Sequence, residues 1–289
     1  MMKNQRENAM SGSELASRHI GDFQVTALSD GNMAASLELL SGVDSAIAGD
    51  IQREAGITDA GNIHIHGYLI RGHGHTVLVD SGTGGLNNSG GLLQNSLAAV
   101  GVSPEDIDTV LLTHGHPDHI GGLLDAQGLP VFTQAEVYLH PLEIEHWLDD
   151  DKYQRASERA QRNFALFRRT LDAYAQRINV LGDNTVVRGI TPIWLPGHTP
   201  GHTGFRIESR EQSLLIWGDI VHFPHIQTAI PAVSIAFDND PAQAEATRKK
   251  LFEQVARDNQ PIAGMHLGKP GFAHLVEAKD GYRIVYLEE

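Results

Sequence analysis

Residues 113–122, Thr-His-Gly-His-Pro-Asp-His-Ile-Gly-Gly, place three imidazoles and a carboxylate, His114, His116, His119 and Asp118, in one short segment. Neutral imidazole and carboxylate oxygen suit zinc and similar borderline cations, and ligands this dense point to two metal ions rather than one. The chemistry expected of such a pair is activation of water and polarisation of an electrophile. Structural zinc sites are closed, four-coordinate and often rich in cysteine, and this chain has no cysteine, so the cluster reads as catalytic.

The elements around the cluster must aim it. Asp108 to Thr113 is a short apolar stretch that reads as a buried strand, and Ile120-Gly-Gly-Leu-Leu predicts the start of a helix. The ligands therefore belong to a strand-to-helix turn. His114 and His116, two apart, share a direction on extended backbone, while Asp118 and His119 turn to a neighbouring point after Pro117. Four groups cannot close two sites. Three further strand ends offer partners: Leu195-Pro-Gly-His-Thr-Pro-Gly-His-Thr203, with His198 and His202; Leu214-Leu-Ile-Trp-Gly-Asp219; and Pro261-Ile-Ala-Gly-Met-His266.

The order HxHxDH, GHTPGHT, strand-Gly-Asp and strand-His resembles the metallo-β-lactamase superfamily. Trp217-Gly-Asp-Ile-Val-His-Phe223, Ser234-Ile-Ala-Phe-Asp-Asn-Asp240, the tail Met265 to His274 and the opening Gly21 to Gly31 most resemble its methyl parathion hydrolase and lactonase-like branch, so the resemblance runs from about Gly21 to Tyr286. It implies an α/β (α+β in some schemes) αββα sandwich of two mixed β-sheets flanked by helices. It also implies that His114, His116 and His198 hold one divalent metal and that Asp118, His119 and His266 hold the other. Asp219 would bridge the two, its charge offsetting the repulsion of cations about 3.5–4 Å apart. Zinc is the expected metal, with manganese, cobalt or iron also accepted by His and Asp. Asp80 matches the family's aspartate behind the ligands, which accepts the second N–H of a ligand imidazole. His202 is expected to hydrogen-bond within its loop rather than to ligate.

The resemblance further implies a bridging hydroxide as nucleophile, with Asp118 orienting it or taking its proton. The family's acyl-homoserine lactonases place a Tyr three residues after the bridging Asp. Here that position is His222, an imidazole able to donate to an oxyanion or protonate a leaving alkoxide, or to line the pocket with Phe223 and His225. Tyr153, Ala156, Ala160, Phe164, Phe167, Leu171, Tyr174 and Ile178 recur at helical spacing within a cap-like segment, residues 140–178. That stripe fits packing on the sandwich, a dimer interface, or a cover whose Trp147, Phe164 and Phe167 form an aromatic pocket wall.

Two other His-x-His pairs, His64/His66 and His73/His75, lack a carboxylate at ligand spacing and read as a hairpin, with Arg71-Gly-His-Gly74 as its turn. A chain of 289 residues can bury a large core, and both halves contribute ligands, so one hydrolase domain is expected over 21–289 after a loose polar stretch at 1–20. A net charge of −14 disfavours nucleic acid as substrate or partner. Only 23 residues follow His266, which disfavours the glutathione thioester hydrolases, whose substrate domain follows the last ligand. Without a secretory apolar core near the start or a run of eighteen apolar residues, the chain reads as cytoplasmic and free of membrane. The resulting expectation is a dinuclear metal hydrolase of small apolar esters. A lactone is favoured, aryl esters and organophosphate triesters are accepted, and a homodimer is compatible. The alternatives are a dedicated phosphotriesterase, an iron-dependent redox enzyme on the same fold, which the absence of a flavin domain disfavours, and a non-catalytic binding module.

Overall fold

The computed structural model describes residues 15–182 and 185–288. In chain order the strands are β1 Ser17–Ile20, β2 Phe23–Ala34, β3 Leu40–Ser41, β4 Asn62–Gly72, β5 His75–Val79, β6 Thr109–Leu111, β7 Glu136–Leu139, β8 Ile178–Val180, β9 Ile190–Trp194, β10 Thr203–Ser209, β11 Gln212–Ile216, β12 Ser234–Ile235, β13 Ile262–Ala263, β14 Phe272–Ala278 and β15 Gly281–Tyr286. The helices are α1 Ser45–Glu54, α2 Leu93–Ala99, α3 Pro117–Ile120, α4 Pro141–Leu148, α5 Asp150–Arg155, α6 Glu158–Ala173, α7 Pro224–Ala229 and α8 Pro241–Arg257. One sheet has the order β1-β2-β4-β5-β6-β7-β8 and the other β15-β14-β13-β11-β10-β9, while β3 and β12 pair by themselves. Both large sheets are mixed: β5 to β8 run parallel beside an antiparallel half, and β11 pairs β13 in parallel within otherwise antiparallel neighbours.

Strand alternation builds the layers. On β5, Val77 and Val79 join Tyr68, Phe205, Ile216 and Phe272 in a core between the sheets, while Leu78 faces the opposite way, toward α2 and α6 with Leu93 and Phe164. On β11, Leu214 and Ile216 face inward and Leu215 packs outward beneath Leu251 and Phe252 of α8. Each such side chain, once fully buried, contributes about 1.5–3 kcal/mol. The expected αββα sandwich of two mixed sheets is what forms. Among the described residues no helix is long and apolar enough to cross a membrane.

Local expectations need amending at four places. Residues 1–14 of the stretch expected to be loose lie outside the described residues, and its last part is ordered, because Ser17–Ile20 pairs with Thr26 to Phe23. The hairpin turn shortens to His73-Gly74, both at positive φ, with Gly72 already paired to His75. The helix expected from Ile120 instead starts at Pro117 and ends at Ile120, so Asp118 and His119 lie inside it. It tightens there into a 3-10 turn over Gly121–Leu123, and both positions need glycine because a Cβ would collide with the carbonyls of Thr83 and Ser81. The 140–178 segment is three helices rather than one. Asp149 caps α5 and Ser157 caps α6 by accepting from Lys152 N and Ala160 N, and Ile178 has left the helical stripe to begin β8.

Candidate metal centre

The ends of β6, β9, β11 and β13 all open on one point. There His114 Nε2, His116 Nδ1 and His198 Nε2 form a triangle with sides of 2.9, 3.0 and 3.2 Å. Three imidazole nitrogens on a tetrahedral zinc at 2.0–2.1 Å stand about 3.3 Å apart, so this triangle fits one cation with little adjustment. Beside it, His119 Nε2 lies 3.5 Å from Asp118 Oδ2 and 3.2 Å from Asp219 Oδ2, and His266 Nε2 lies 3.4 and 3.0 Å from the same two oxygens. Asp219 Oδ2 is also 3.4 Å from His198 Nε2 and 3.8 Å from His114 Nε2, so one oxygen stands between the two groups. His119 Nε2 and Asp219 Oδ1 are buried without a hydrogen-bond partner. Unpaired buried polar atoms cost free energy, and a ring nitrogen left unpaired among the carboxylates of Asp118 and Asp219 fits a cation held between them.

A second ring of contacts orients the first. Asp80 Oδ2 accepts from His119 Nδ1 at 2.7 Å and from Thr113 Oγ1 at 2.6 Å, and its Oδ1 accepts from Thr113 N at 2.8 Å. Asp238 Oδ1 accepts from His198 Nδ1 at 2.9 Å, with the buried Arg248 guanidinium 3.7 Å behind its other oxygen. His266 Nδ1 donates to the His64 carbonyl at 2.7 Å. Each bond leaves the opposite ring nitrogen free to face the centre. His202 does not join the cluster: its Nδ1 donates to Leu195 O at 2.8 Å and its Nε2 accepts from Asp219 N at 2.8 Å, which fixes the backbone that presents Asp219.

Electrostatics sorts these groups. Burial holds the His202 imidazole down to about 3, so it is neutral, as its paired hydrogen bonds require. Burial also drives His114 and His116 well below the ordinary imidazole range, helped by neighbouring imidazoles. At His119 burial opposes the charge, but Asp219, Asp118 and Asp80 outweigh it and hold the group well above that range. At Asp219 burial is likewise outweighed, here by His119, His266 and His222, and its carboxyl lies well below the ordinary value.

His222 sits at the centre. Its Nε2 is 3.2 Å from Asp219 Oδ2, its ring stacks on His266 at 4.8 Å and tilts against His198 at 4.8 Å, and its backbone N–H donates to Gln227 Oε1 at 2.7 Å. Burial lowers its pKa to about 4. His198, Asp219 and His222 form a third set close enough to share a cation.

The aromatic pocket wall does not form as expected. Trp147, Phe164 and Phe167 are 3, 5 and 1% exposed and belong to the core outside the first sheet, where the indole meets the edge of His116 at 5.7 Å from beneath. They buttress the His114–His116 loop instead of facing a cavity, because α4 and α6 pack their apolar faces inward. Phe223 is buried under α7 in a core with Ile226 and Ile235. His225 is half-buried against Tyr286 of β15 at 5.9 Å, away from the two ligand groups. His64 and His66 lie outside both groups, His66 fully buried.

Sequence reasoning missed three groups. Phe237, partly exposed, lies 5.7 Å from His222 with the Arg159 guanidinium 5.5 Å over its ring. Asp238 was concealed within Asp238-Asn-Asp240, whose last member is a legible helix cap, accepting from Gln243 N at 3.0 Å. Glu143 lies in a charged helix beside Glu145 with nothing local to distinguish the two.

The Metallo-beta-lactamase superfamily model matches residues 61–266. The N-acyl homoserine lactonase of Bacillus thuringiensis is 24% identical over 245 residues, covering 77% of this chain and 86% of that protein. Among solved structures, the hydrolase AbOPH of the beta lactamase superfamily superposes with a TM-score of 0.88 at 30% identity, over 95% of this chain and 98% of that one. AidC, a dizinc quorum-quenching lactonase in complex with a product, superposes with a TM-score of 0.89 at 25% identity, again over 95 and 98%. Matched through most of its length, and with its histidines and aspartates gathered at the strand ends, this chain belongs to the metallo-beta-lactamase superfamily.

Proposed function

We propose that the protein is a dinuclear zinc hydrolase that opens lactone rings, with N-acyl homoserine lactones as the favoured substrate class. The observation behind this reading is the position of Asp219 Oδ2, within 3.0–3.8 Å of imidazole nitrogens from both ligand groups. His114, His116 and His198 would hold one cation, Asp118, His119 and His266 the other, and Asp219 both. When bound, two such cations supply a hydroxide at neutral pH and Lewis-acid stabilisation of developing negative charge.

The chain's own residues do the rest. Asp118, with 16% of its side chain exposed, is the carboxylate that would orient water or accept its proton. His222, neutral at physiological pH, offers Nε2–H as a donor to an oxyanion or a leaving alkoxide. Phe237 gives an acyl chain an apolar surface beside His222. The named activity of the Bacillus thuringiensis relative and of AidC supports the lactone.

A dedicated phosphotriesterase is the second reading, since a triester with a good leaving group asks only for nucleophile and Lewis acid. The test is kcat/KM on a medium-chain N-acyl homoserine lactone against a dialkyl aryl phosphate triester, with one preparation of zinc-loaded enzyme. Preference for the lactone, with the ring-opened acid as product, supports the proposal. Preference for the triester overturns it.

A further inference from the structure

The geometry points to Glu143 as a positioning residue that clamps the two histidine loops of the first ligand triangle together, so that the strength of cation binding there depends on its carboxylate. The inference rests on the reading that these groups take divalent cations, and it goes beyond it to a residue outside the ligand set.

Glu143 is fully buried on α4, and both of its oxygens are occupied. Oε2 accepts from Gly115 N at 2.9 Å and from Trp147 Nε1 at 2.9 Å, and Oε1 accepts from Gly201 N at 2.9 Å. Gly115 stands between His114 and His116, and Gly201 lies three residues after His198. One carboxylate thus ties the loop bearing two corners of the triangle to the loop bearing the third. These loops come from different sheets, following β6 and β9.

The fit is close on both sides. A Cβ on Gly201 would stand 2.7 Å from Glu143 N and 2.9 Å from its Cγ, and one on Gly115 would strike the Trp147 indole and the Phe167 ring. Both glycines leave room for α4 to dock. Buried carboxylates are costly unless their lone pairs are satisfied, and charge-assisted N–H bonds of this kind are about twice as strong as neutral ones. The negative charge also lies behind a centre that gathers positive charge when loaded. Groups that orient ligands from behind in this way change metal affinity by about 10–100-fold when removed.

Glu143→Gln tests this because it keeps the shape. A carboxamide has one oxygen and one NH2, so at least one of the three N–H groups then faces a donor. The measurement is zinc affinity of the full chain by competition with a chromophoric chelator, with cobalt absorption spectra reporting ligand geometry and melting temperatures taken with and without metal.

One of the two cations is expected to bind about 10–100-fold more weakly in Glu143→Gln, with a changed cobalt spectrum and a smaller metal-induced rise in melting temperature. Glu145→Gln, on the exposed side of the same helix, should leave all three readouts unchanged. A purely structural Glu143 would lower the melting temperature equally with and without metal while both affinities stayed at wild-type values, and that result overturns the inference. Should Glu143→Gln not fold, hydrogen exchange of the wild-type protein decides: the Gly115 and Gly201 amides must be strongly protected, and fast exchange at either overturns the clamp. A wild-type chain that bound no zinc would instead remove the underlying reading of the site.

Discussion

Replacing His222 with Phe removes a donor without emptying its place. The ring is 2% exposed and stacked on His266 at 4.8 Å, so a phenyl group of similar size keeps the packing while losing Nε2, now 3.2 Å from Asp219 Oδ2. Loss of one preorganised donor to a developing oxyanion costs about 10²–10³ in kcat, or about 2.7–4 kcal/mol. A lactone leaves as an alkoxide and needs that help, whereas a 4-nitrophenolate leaves unaided. His222→Phe is therefore expected to lower kcat on lactones by about 10²–10³ and on 4-nitrophenyl esters by no more than about threefold, with two zinc ions still bound. Since burial holds His222 at about 4, its contribution should be flat in pH from 6 to 8, as a neutral donor and not as an imidazolium acid. Steady-state kinetics on both substrates, with zinc content of the same samples, checks this. Unchanged lactone turnover would refute the donor role. A stoichiometric loss of zinc would refute it too, making His222 a ligand with His198 and Asp219.

Two further outcomes follow from groups at and behind the centre. Phe237→Ala should raise KM for long-chain lactones about tenfold and leave short-chain KM nearly unchanged, because a partly exposed ring contributes part of the roughly 1.5–3 kcal/mol of a buried aromatic; equal effects on both chain lengths would remove Phe237 from the acyl contact. His66, fully buried and held at about 3 chiefly by burial, is neutral when folded but takes a proton near 6.5 when unfolded. The unfolded chain then binds more protons, so stability is present above that value and is lost as the pH falls below it, by about 2 kcal/mol at pH 5. Urea unfolding of wild type and His66→Gln at pH 7 and pH 5 isolates this effect, because the protons of the metal cluster cancel in the difference; identical pH dependence in the two proteins would show that His66 is not buried in its neutral form.

The parts of the site that sequence made legible are those whose signal is local. HxHxDH lies within one turn of chain, and His198, Asp219 and His266 each follow an apolar run that can only be a strand. Strand ends on one edge of packed sheets come together by topology, so convergence needed no long-range information. Hidden residues are those defined by contacts across the fold: Glu143 bonds to Gly115 and Gly201, 28 and 58 positions away, and Asp238 bonds to His198, 40 away. The aromatic residues fail differently. Helical spacing correctly marked Phe164 and Phe167 as one buried face, but periodicity says that a face is covered and not what covers it. The reason for Gly121 and Gly122 was equally unreadable, because it lies in the carbonyls of Thr83 and Ser81, which leave no room for a Cβ at either position.

Both ligand groups are divided between the two halves of the chain, since His114 and His116 need His198, and Asp118 and His119 need Asp219 and His266. Cations bound there would therefore favour docking of the halves, adding about 2.7 kcal/mol at a hundredfold excess over Kd. The halves are already joined around the centre without them. Thr203 N donates to Thr113 O and His66 N to Met265 O, each at 2.9 Å, and Tyr68 Oη donates to the carbonyls of Gly264 and Gly271 at 2.9 and 2.7 Å. His266 Nδ1 to His64 O and Gly201 N to Glu143 complete the seam. All of these links use a backbone group on at least one side, and two use backbone on both. The links that do use a side chain need only Tyr68, His266 and Glu143, so a partly exposed residue outside the seam, such as Phe237, is free to vary with substrate while the histidines and aspartates of the two groups stay in register.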